Sequence, residues 1–232
     1  MMPWHPTQAS TYAADIDNLI LLIGVVVGIF FLAAEVIFFA FIVKFRARPG
    51  VKARYVTGET TREKMWVSYP HYLVLFFDVI IVVAALRVWH EVKIDFPPAD
   101  DRVRIIAQQW AWTFVHAGPD GQFDTADDIR TVDELNLQVN RLYRYELHSK
   151  DVVHSFSVPA FRLKQDAVPG RAIAGWFKPT VTGEFDIQCT QICGIGHGLM
   201  AARVRIRSAA EQAAWMAVAR DAERVADRRG SE

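Results

Sequence analysis

A two-helix transmembrane hairpin followed by an all-β extracytoplasmic domain is the fold class this sequence predicts. Three observations predict it. Two long apolar runs occupy the N-terminal third of the 232 residues. Basic residues cluster between those runs, and none precedes the first. Beyond residue 88 the pattern changes to short β-branched and aromatic stretches broken by Pro-Gly and Thr-Gly turns, which is the signature of a sandwich or barrel and not of helices.

The first run, residues 19–43, reaches about 37 Å as a helix, and the second, residues 67–88, about 33 Å. Both exceed the roughly 30 Å of a bilayer's hydrocarbon core. The chain is 52% hydrophobic with no net formal charge, and the apolar excess sits in these runs. The first is too long for a signal-peptide core and lacks a basic leader, so no cleaved signal is expected. Between the runs stand Lys44, Arg46, Arg48, Lys52, Arg54, Arg62 and Lys64, whereas the segment before them carries only Asp15 and Asp17. The positive-inside rule therefore puts the loop in the cytoplasm and both termini outside. The expected organisation is an extracytoplasmic tail (1–18), a first span (19–43), a cytoplasmic loop (44–66), a second span (67–88), a β domain (89–207) and a C-terminal helical tail (208–232). Glu35 and Asp78 fall inside the spans, where carboxylates are costly against lipid and are expected to face protein.

Within the β domain, strands are predicted over 103–115, 131–139, 141–147, 172–177, 183–188 and 202–206, from periods near two and β-branched composition. Their shortness suggests antiparallel pairing. Residues 209–229 are Ala-rich with scattered charges and read as a surface helix. Acidic and basic residues nearly balance across the domain, so docking of a charged partner depends on local patches.

The chemistry is concentrated in Cys189-Thr-Gln-Ile-Cys193-Gly-Ile-Gly-His197-Gly-Leu-Met200, which holds both cysteines of the chain. Two thiolates, an imidazole and a thioether are soft ligands that favour copper over calcium, magnesium or manganese. Zinc, with His154 as a fourth corner, is an alternative. So is a Cys189–Cys193 disulfide, although it leaves His197 and Met200 without a role.

The spacing C-x3-C-x3-H-x2-M, with Asp151-Val-Val-His154 and Asp166-Ala-Val-Pro169-Gly170-Arg171 upstream, resembles cytochrome c oxidase subunit II, the electron-accepting subunit of haem–copper terminal oxidases. The likeness runs from about residue 15 to about residue 206. It implies a cupredoxin-like Greek-key domain carrying a dinuclear CuA centre of two copper ions, with Cys189 and Cys193 bridging. His154 and Met200 would complete one copper; His197 and the Gln191 carbonyl would complete the other. Many family members carry Glu where Gln191 stands, and its carboxylate also reaches an intersubunit magnesium, so that contact does not carry over. Gln109-Trp110-Ala-Trp112 matches the segment where cytochrome c delivers its electron, with Trp110 as the receiving tryptophan. Glu63-Lys-Met-Trp66 followed by Pro70 matches the start of the family's second span, where the Glu lies at a proton-path entrance.

The implied function is electron acceptance from cytochrome c, transfer to haem in the catalytic subunit I, and reduction of oxygen to water coupled to proton pumping in a bacterial plasma membrane. A nitric oxide reductase with the same copper subunit, and a membrane-anchored copper carrier, are the alternatives; a carrier would need neither Trp110 nor Glu63. No C-x-x-C-H haem motif occurs in the sequence. An acidic loop, Asp120 to Asp128, reads as a hairpin tip, a docking face for a basic cytochrome, or a calcium loop.

Overall fold

The structure, a computed structural model, describes residues 6–53 and 55–230, the side chains of 223–230 excepted. Arg54 of the basic loop, residues 1–5 of the N-terminal tail and residues 231–232 lie outside the described residues. The chain divides into two compact units, residues 15–90 and a second unit that joins residues 1–14 to 91–232.

The first unit consists of α1 (Ala13–Lys44) and α2 (Thr61–Trp89). Each contains an 18-residue window of mean hydropathy 2.8 or 2.2 with no residue buried. Both helices are apolar around their whole circumference, which suits lipid and not water. Both extend past the apolar runs. The second starts early because Thr60 forms a capping box: its hydroxyl accepts from the Glu63 N–H at 3.3 Å, and the Glu63 carboxylate accepts from the Thr60 N–H at 3.3 Å. Phe30 and Phe77 meet edge to face at 5.6 Å and join the two helices. Glu35 is half-buried and Asp78 exposed.

The second unit is a two-sheet β-sandwich with one helix. One sheet has the order β3-β2-β1-β5-β8 and the other β4-β10-β9-β6-β7. Its strands are β1 (Asp101–Gln108), β2 (Ala111–His116), β3 (Ile129–Val132), β4 (Glu134–Gln138), β5 (Tyr143–Ser149), β6 (His154–Val158), β7 (Leu163–Ala167), β8 (Ile173–Phe177), β9 (Gly183–Cys189) and β10 (Ala201–Arg207). Along β1 the inward residues Val103, Ile105 and Ala107 are fully buried, whereas Arg102 and Arg104 point outward to Glu146 and Asp124. Trp112, Phe114, Leu135, Leu137, Leu147, Phe156, Phe161 and Phe177 fill the interior. Each contributes about 1.5–3 kcal/mol by leaving water. The last helix, α3 (Ala209–Gly230), is held by the edge-to-face contact of Trp215 with buried His116 at 5.5 Å.

Four features depart from the sequence expectation. Residues 103–115 form two antiparallel strands that turn at Gln109 and Trp110. The segment 131–139 divides between the sheets at Asp133, a left-handed corner (φ 54°) whose carboxylate accepts from the Trp112 N–H at 2.8 Å. Strands β6 and β7 carried no period-two signal, because β6 is buried on both faces and β7 is largely polar. Finally, β1 with β5 and β4 with β10 are parallel pairs, so the sandwich is mixed and not wholly antiparallel. In the segment Asp166 to Arg171, Asp166 and Ala167 end β7, and the reversal is made at Val168–Arg171, with Gly170 at φ 76°.

The stretch before α1 belongs to the β domain. Ala9 N–H donates to Ala160 O at 2.8 Å, Thr180 N–H to Ala9 O at 3.0 Å, and the Ser10 hydroxyl to Phe161 O at 2.9 Å. Tyr12 is fully buried against Trp176, with ring centroids 5.2 Å apart. Tyr12→Ala should therefore lower the stability of the β domain by about 3–5 kcal/mol, the range for emptying a buried aromatic site. Tyr12→Phe, which loses only a 3.3 Å hydroxyl contact to Trp176 O, should cost about 1 kcal/mol. Thermal loss of the β-sheet circular dichroism in detergent measures both; equal midpoints for Tyr12→Ala and the parent would show that the segment is not part of the core.

Candidate metal centre

Three adjacent strands assemble the site. Strand β9 ends at Cys189 and pairs antiparallel with β10 on one side and β6 on the other. Phe156 lies opposite Cys189, which brings His154, the first residue of β6, close to the sulfur. On the other side Cys189 N–H donates to Met200 O at 3.2 Å, closing the neck of the 190–199 loop just before β10. Within the loop, His197 N–H donates to Gly194 O at 3.1 Å and opens a short 3-10 turn, His197–Leu199. Residues 35 to 46 positions apart in sequence thus share one pocket, held by backbone bonds that owe nothing to the side chains.

The pocket gathers all six predicted donors. The Cys189 and Cys193 sulfurs are free and lie 3.8 Å apart. His154 Nδ1 lies 3.1 Å from Met200 Sδ and 4.0 Å from Cys189 Sγ; Met200 Sδ is 3.9 Å from Cys193 Sγ. On the remaining approaches, His197 Nδ1 is 3.6 Å from Cys193 Sγ and the Gln191 carbonyl 3.3 Å from Cys189 Sγ. His154 is fully buried, Cys189, Cys193 and Met200 nearly so, and His197 half-exposed. Among the described residues His154, Cys189 and Cys193 are the one group of three His, Cys, Asp or Glu placed to hold a metal ion. Burial, aided by the neighbouring Cys189 sulfur, pushes the Cys193 thiol up to about 11. A cation reverses that preference, because it binds the thiolate.

His154 is oriented from behind. Its Nε2 lies 2.8 Å from Asp151 Oδ1. Burial opposes the charge on Asp151, yet hydrogen bonds from His154 and from the Gln109 and Val152 N–H groups hold its carboxyl below the usual range. An ionised carboxylate accepts only, so the proton sits on Nε2 and Nδ1 presents its lone pair to the sulfurs. Sequence reasoning gave no role to Asp151 or to Gln109, whose side-chain amide donates to Cys193 O at 2.7 Å. The signal for Asp151 was its place three residues before the histidine.

Trp110 lies on the loop itself. A Cβ added at Gly196 would sit 2.4 Å from Trp110 Cδ2, and one at Gly194 (φ 127°) 3.2 Å from Trp110 Cζ2. These glycines make room for the ring, whereas Gly198 has open space around it. Trp110 remains 39% exposed while its ring lies against the two glycines of the loop. Trp112 is fully buried beneath Phe156, with centroids 5.3 Å apart, and is a core residue.

The other predicted residues lie elsewhere. Glu63 is the capping carboxylate of α2 in the helical unit. In the acidic loop, Asp124 pairs with Arg104 at 2.8 Å, Asp128 accepts from the Asp124 N–H at 2.8 Å, and Asp120 accepts from the Gln122 N–H at 2.8 Å. These carboxylates serve their own hairpin tip and Arg104.

A sequence profile described as the periplasmic domain of cytochrome c oxidase subunit II matches residues 102–207. The "Alternative cytochrome c oxidase subunit 2" of Bradyrhizobium diazoefficiens is 29% identical over 92% of this chain and 83% of its own length. The "Probable cytochrome c oxidase subunit 2" of Rickettsia bellii is 31% identical over 75% of this chain and 68% of its own. Among solved structures, the periplasmic domain of subunit II of cytochrome oxidase (CoxB) of Bradyrhizobium japonicum is 30% identical, with a TM-score of 0.49 over 54% of this chain and 96% of that one. On its sequence relatives, the chain belongs to the cytochrome c oxidase subunit II family.

Proposed function

We propose that this chain is the electron-accepting subunit of a respiratory haem–copper oxidase, holding a dinuclear copper centre with Cys189, Cys193, His154, His197, Met200 and the Gln191 carbonyl. The observation that carries the reading is the donor set. Four further donors surround two sulfurs 3.8 Å apart, and a single tetrahedral ion takes only four of the six. His154 and Met200 touch each other, whereas the Gln191 carbonyl and His197 each lie against one sulfur, a division that supports two ions. The thioether favours copper over zinc. When bound, the copper pair supplies a one-electron redox centre.

The chain's own residues serve that centre by holding still. Backbone pairing of β6, β9 and β10 fixes three of the donors, and Asp151 fixes the tautomer of His154. Such preorganisation limits rearrangement when the charge changes. Trp110, half on the surface and half on the loop, is the residue at which a soluble donor such as cytochrome c delivers its electron. The onward acceptor is haem in the catalytic subunit, where oxygen is reduced and protons are pumped. Residues 9–11 are bonded to the same domain as β1, so an even number of crossings separates them. With the basic 44–64 segment in the cytoplasm, the β domain and both termini lie outside. Glu63 is read as a proton-path entrance in addition to its capping role.

Four outcomes follow. The full-length chain in detergent should bind two coppers and give a delocalised mixed-valence EPR signal; one copper per chain, or a colourless zinc protein, contradicts the reading. In the same preparation Cys193→Ser should lose both ions, while Met200→Leu keeps copper at a shifted potential. Trp110→Ala should keep the copper spectrum but slow reduction by cytochrome c by orders of magnitude in stopped flow; an unchanged rate makes Trp110 a packing residue. In the assembled oxidase Glu63→Gln should lower turnover without changing copper content or reduction by the donor, and parental turnover across pH would leave Glu63 as a cap only.

A further inference from the structure

We propose that Gln109 is a positioning residue for electron uptake: Asp151 anchors its backbone, the Cys193 carbonyl holds its side chain, and this clamp seats the Trp110 ring on the metal loop. The inference rests on the reading of Trp110 as the electron-accepting tryptophan and adds the residues that place it.

Gln109 and Trp110 form the whole connection between β1 and β2. A two-residue connection at a sheet end ordinarily leaves its side chains in solvent. Here the Gln109 amide instead reaches 84 residues along the chain and donates to Cys193 O at 2.7 Å, half-buried. Its own N–H donates to Asp151 Oδ2 at 2.7 Å. The other oxygen of that carboxylate faces His154 Nε2 at 2.8 Å and accepts from the Val152 N–H at 2.7 Å. One carboxylate therefore joins the turn that carries Trp110 to the histidine of the metal pocket. The adjoining strand ends are tied as well: Lys150 N–H donates to Ala107 O at 3.0 Å, and Lys150 Nζ to Gln108 Oε1 at 3.1 Å.

Gly194 is the seat for this clamp. A side chain there would lie 2.9 Å from Gln109 Nε2 and 3.3 Å from Trp110 Nε1. The amide and the ring thus occupy the space a Cβ would take, and the ring continues flat across Gly196. Loss of the amide tether leaves the turn its backbone bond to Asp151 and the ring its contact with Gly194 and Gly196, neither of which is a polar tie to Cys193. A neutral donor to a carbonyl is required at this position: leucine keeps the bulk without the bond, and glutamate keeps the shape but presents an ionised acceptor to another acceptor.

The test uses the full-length chain in detergent, with Gln109→Leu, Gln109→Glu, Trp110→Ala and the double variant Gln109→Leu/Trp110→Ala. With copper bound, stopped-flow mixing with ferrous cytochrome c measures uptake of one electron for each haem iron oxidised to ferric. Gln109→Leu and Gln109→Glu should keep copper content and spectrum but slow uptake by about ten- to a hundredfold, the scale of effect from misplacing a reacting group by about 1 Å. In the Trp110→Ala background, Gln109→Leu should add no further slowing. Parental rates in both Gln109 variants, or the same slowing with and without Trp110, overturn the proposal. A second readout needs no metal. In the metal-free chain, loss of the Cys193 tether should raise the iodoacetamide alkylation rate of Cys193 severalfold over the parent, followed by peptide mass; an unchanged rate shows that the amide does not hold the loop. If Trp110→Ala alone leaves uptake unchanged, the electron-uptake reading fails, and the alkylation rates still decide whether the clamp exists.

Discussion

The central position of β9 in its sheet is the constraint on which the site depends. By pairing with β6 and β10 at once, it sets Cys189 between a histidine that arrives from one direction and a methionine that arrives from the other. The loop between Cys189 and Met200 then has both ends fixed by backbone hydrogen bonds. Ten residues must close on themselves within that gap, and the tight N–H to carbonyl contacts at His197, Leu199 and Met200 are how they do so. On the proposed reading, this backbone pairing would set His154, Cys189 and Met200 in place before an ion binds and so reduce the entropy lost on binding.

Much of this was legible in the residues, and the rest was hidden for identifiable reasons. The apolar runs and the twelve-residue ligand loop announce themselves, because lipid and soft metals both impose composition. Strands β1, β5, β9 and β10 show alternation because one face is buried and the other wet. Strand β6 does not, since Ser155 and Ser157 are as buried as Phe156, and burial on both faces erases the period. The break at Asp133 was also invisible: a single left-handed residue sends the chain from one sheet to the other, and no apolar pattern marks it. Pairing direction is not encoded locally at all; β1 lies parallel to β5 because of where the intervening strands go. In the candidate site, Cys189, Cys193, His197 and Met200 were readable from their types and spacing, whereas the parts of His154 and the Gln191 carbonyl were implied by the family resemblance. Gln109 was not readable, since a glutamine in a turn has no chemistry of its own until the fold brings Cys193 against it.

The glycines of the metal loop illustrate a related point. In a sequence, Gly194, Gly196 and Gly198 suggest mobility. Two of them are instead defined by what lies over them, an indole ring on Gly196 and an indole edge with an amide on Gly194. The third has no such neighbour. Equal spacing in the chain conceals two different physical roles, backbone accommodation of a packed ring and plain turn formation.

The segment around Ser10 also constrains the order in which the molecule can be made. Its hydroxyl bonds to a carbonyl 151 residues further along the chain, and the intervening polypeptide includes both membrane helices. The ribosome completes Phe161 long after Ser10 has emerged, so this stretch must wait, already delivered to the correct face of the bilayer, until the strands that receive it exist. The β domain can close on this segment only where both ends of the hairpin reach the same face. A chain in which only one helix crosses holds residues 9–12 and the receiving strands on opposite faces and leaves the Tyr12 site vacant.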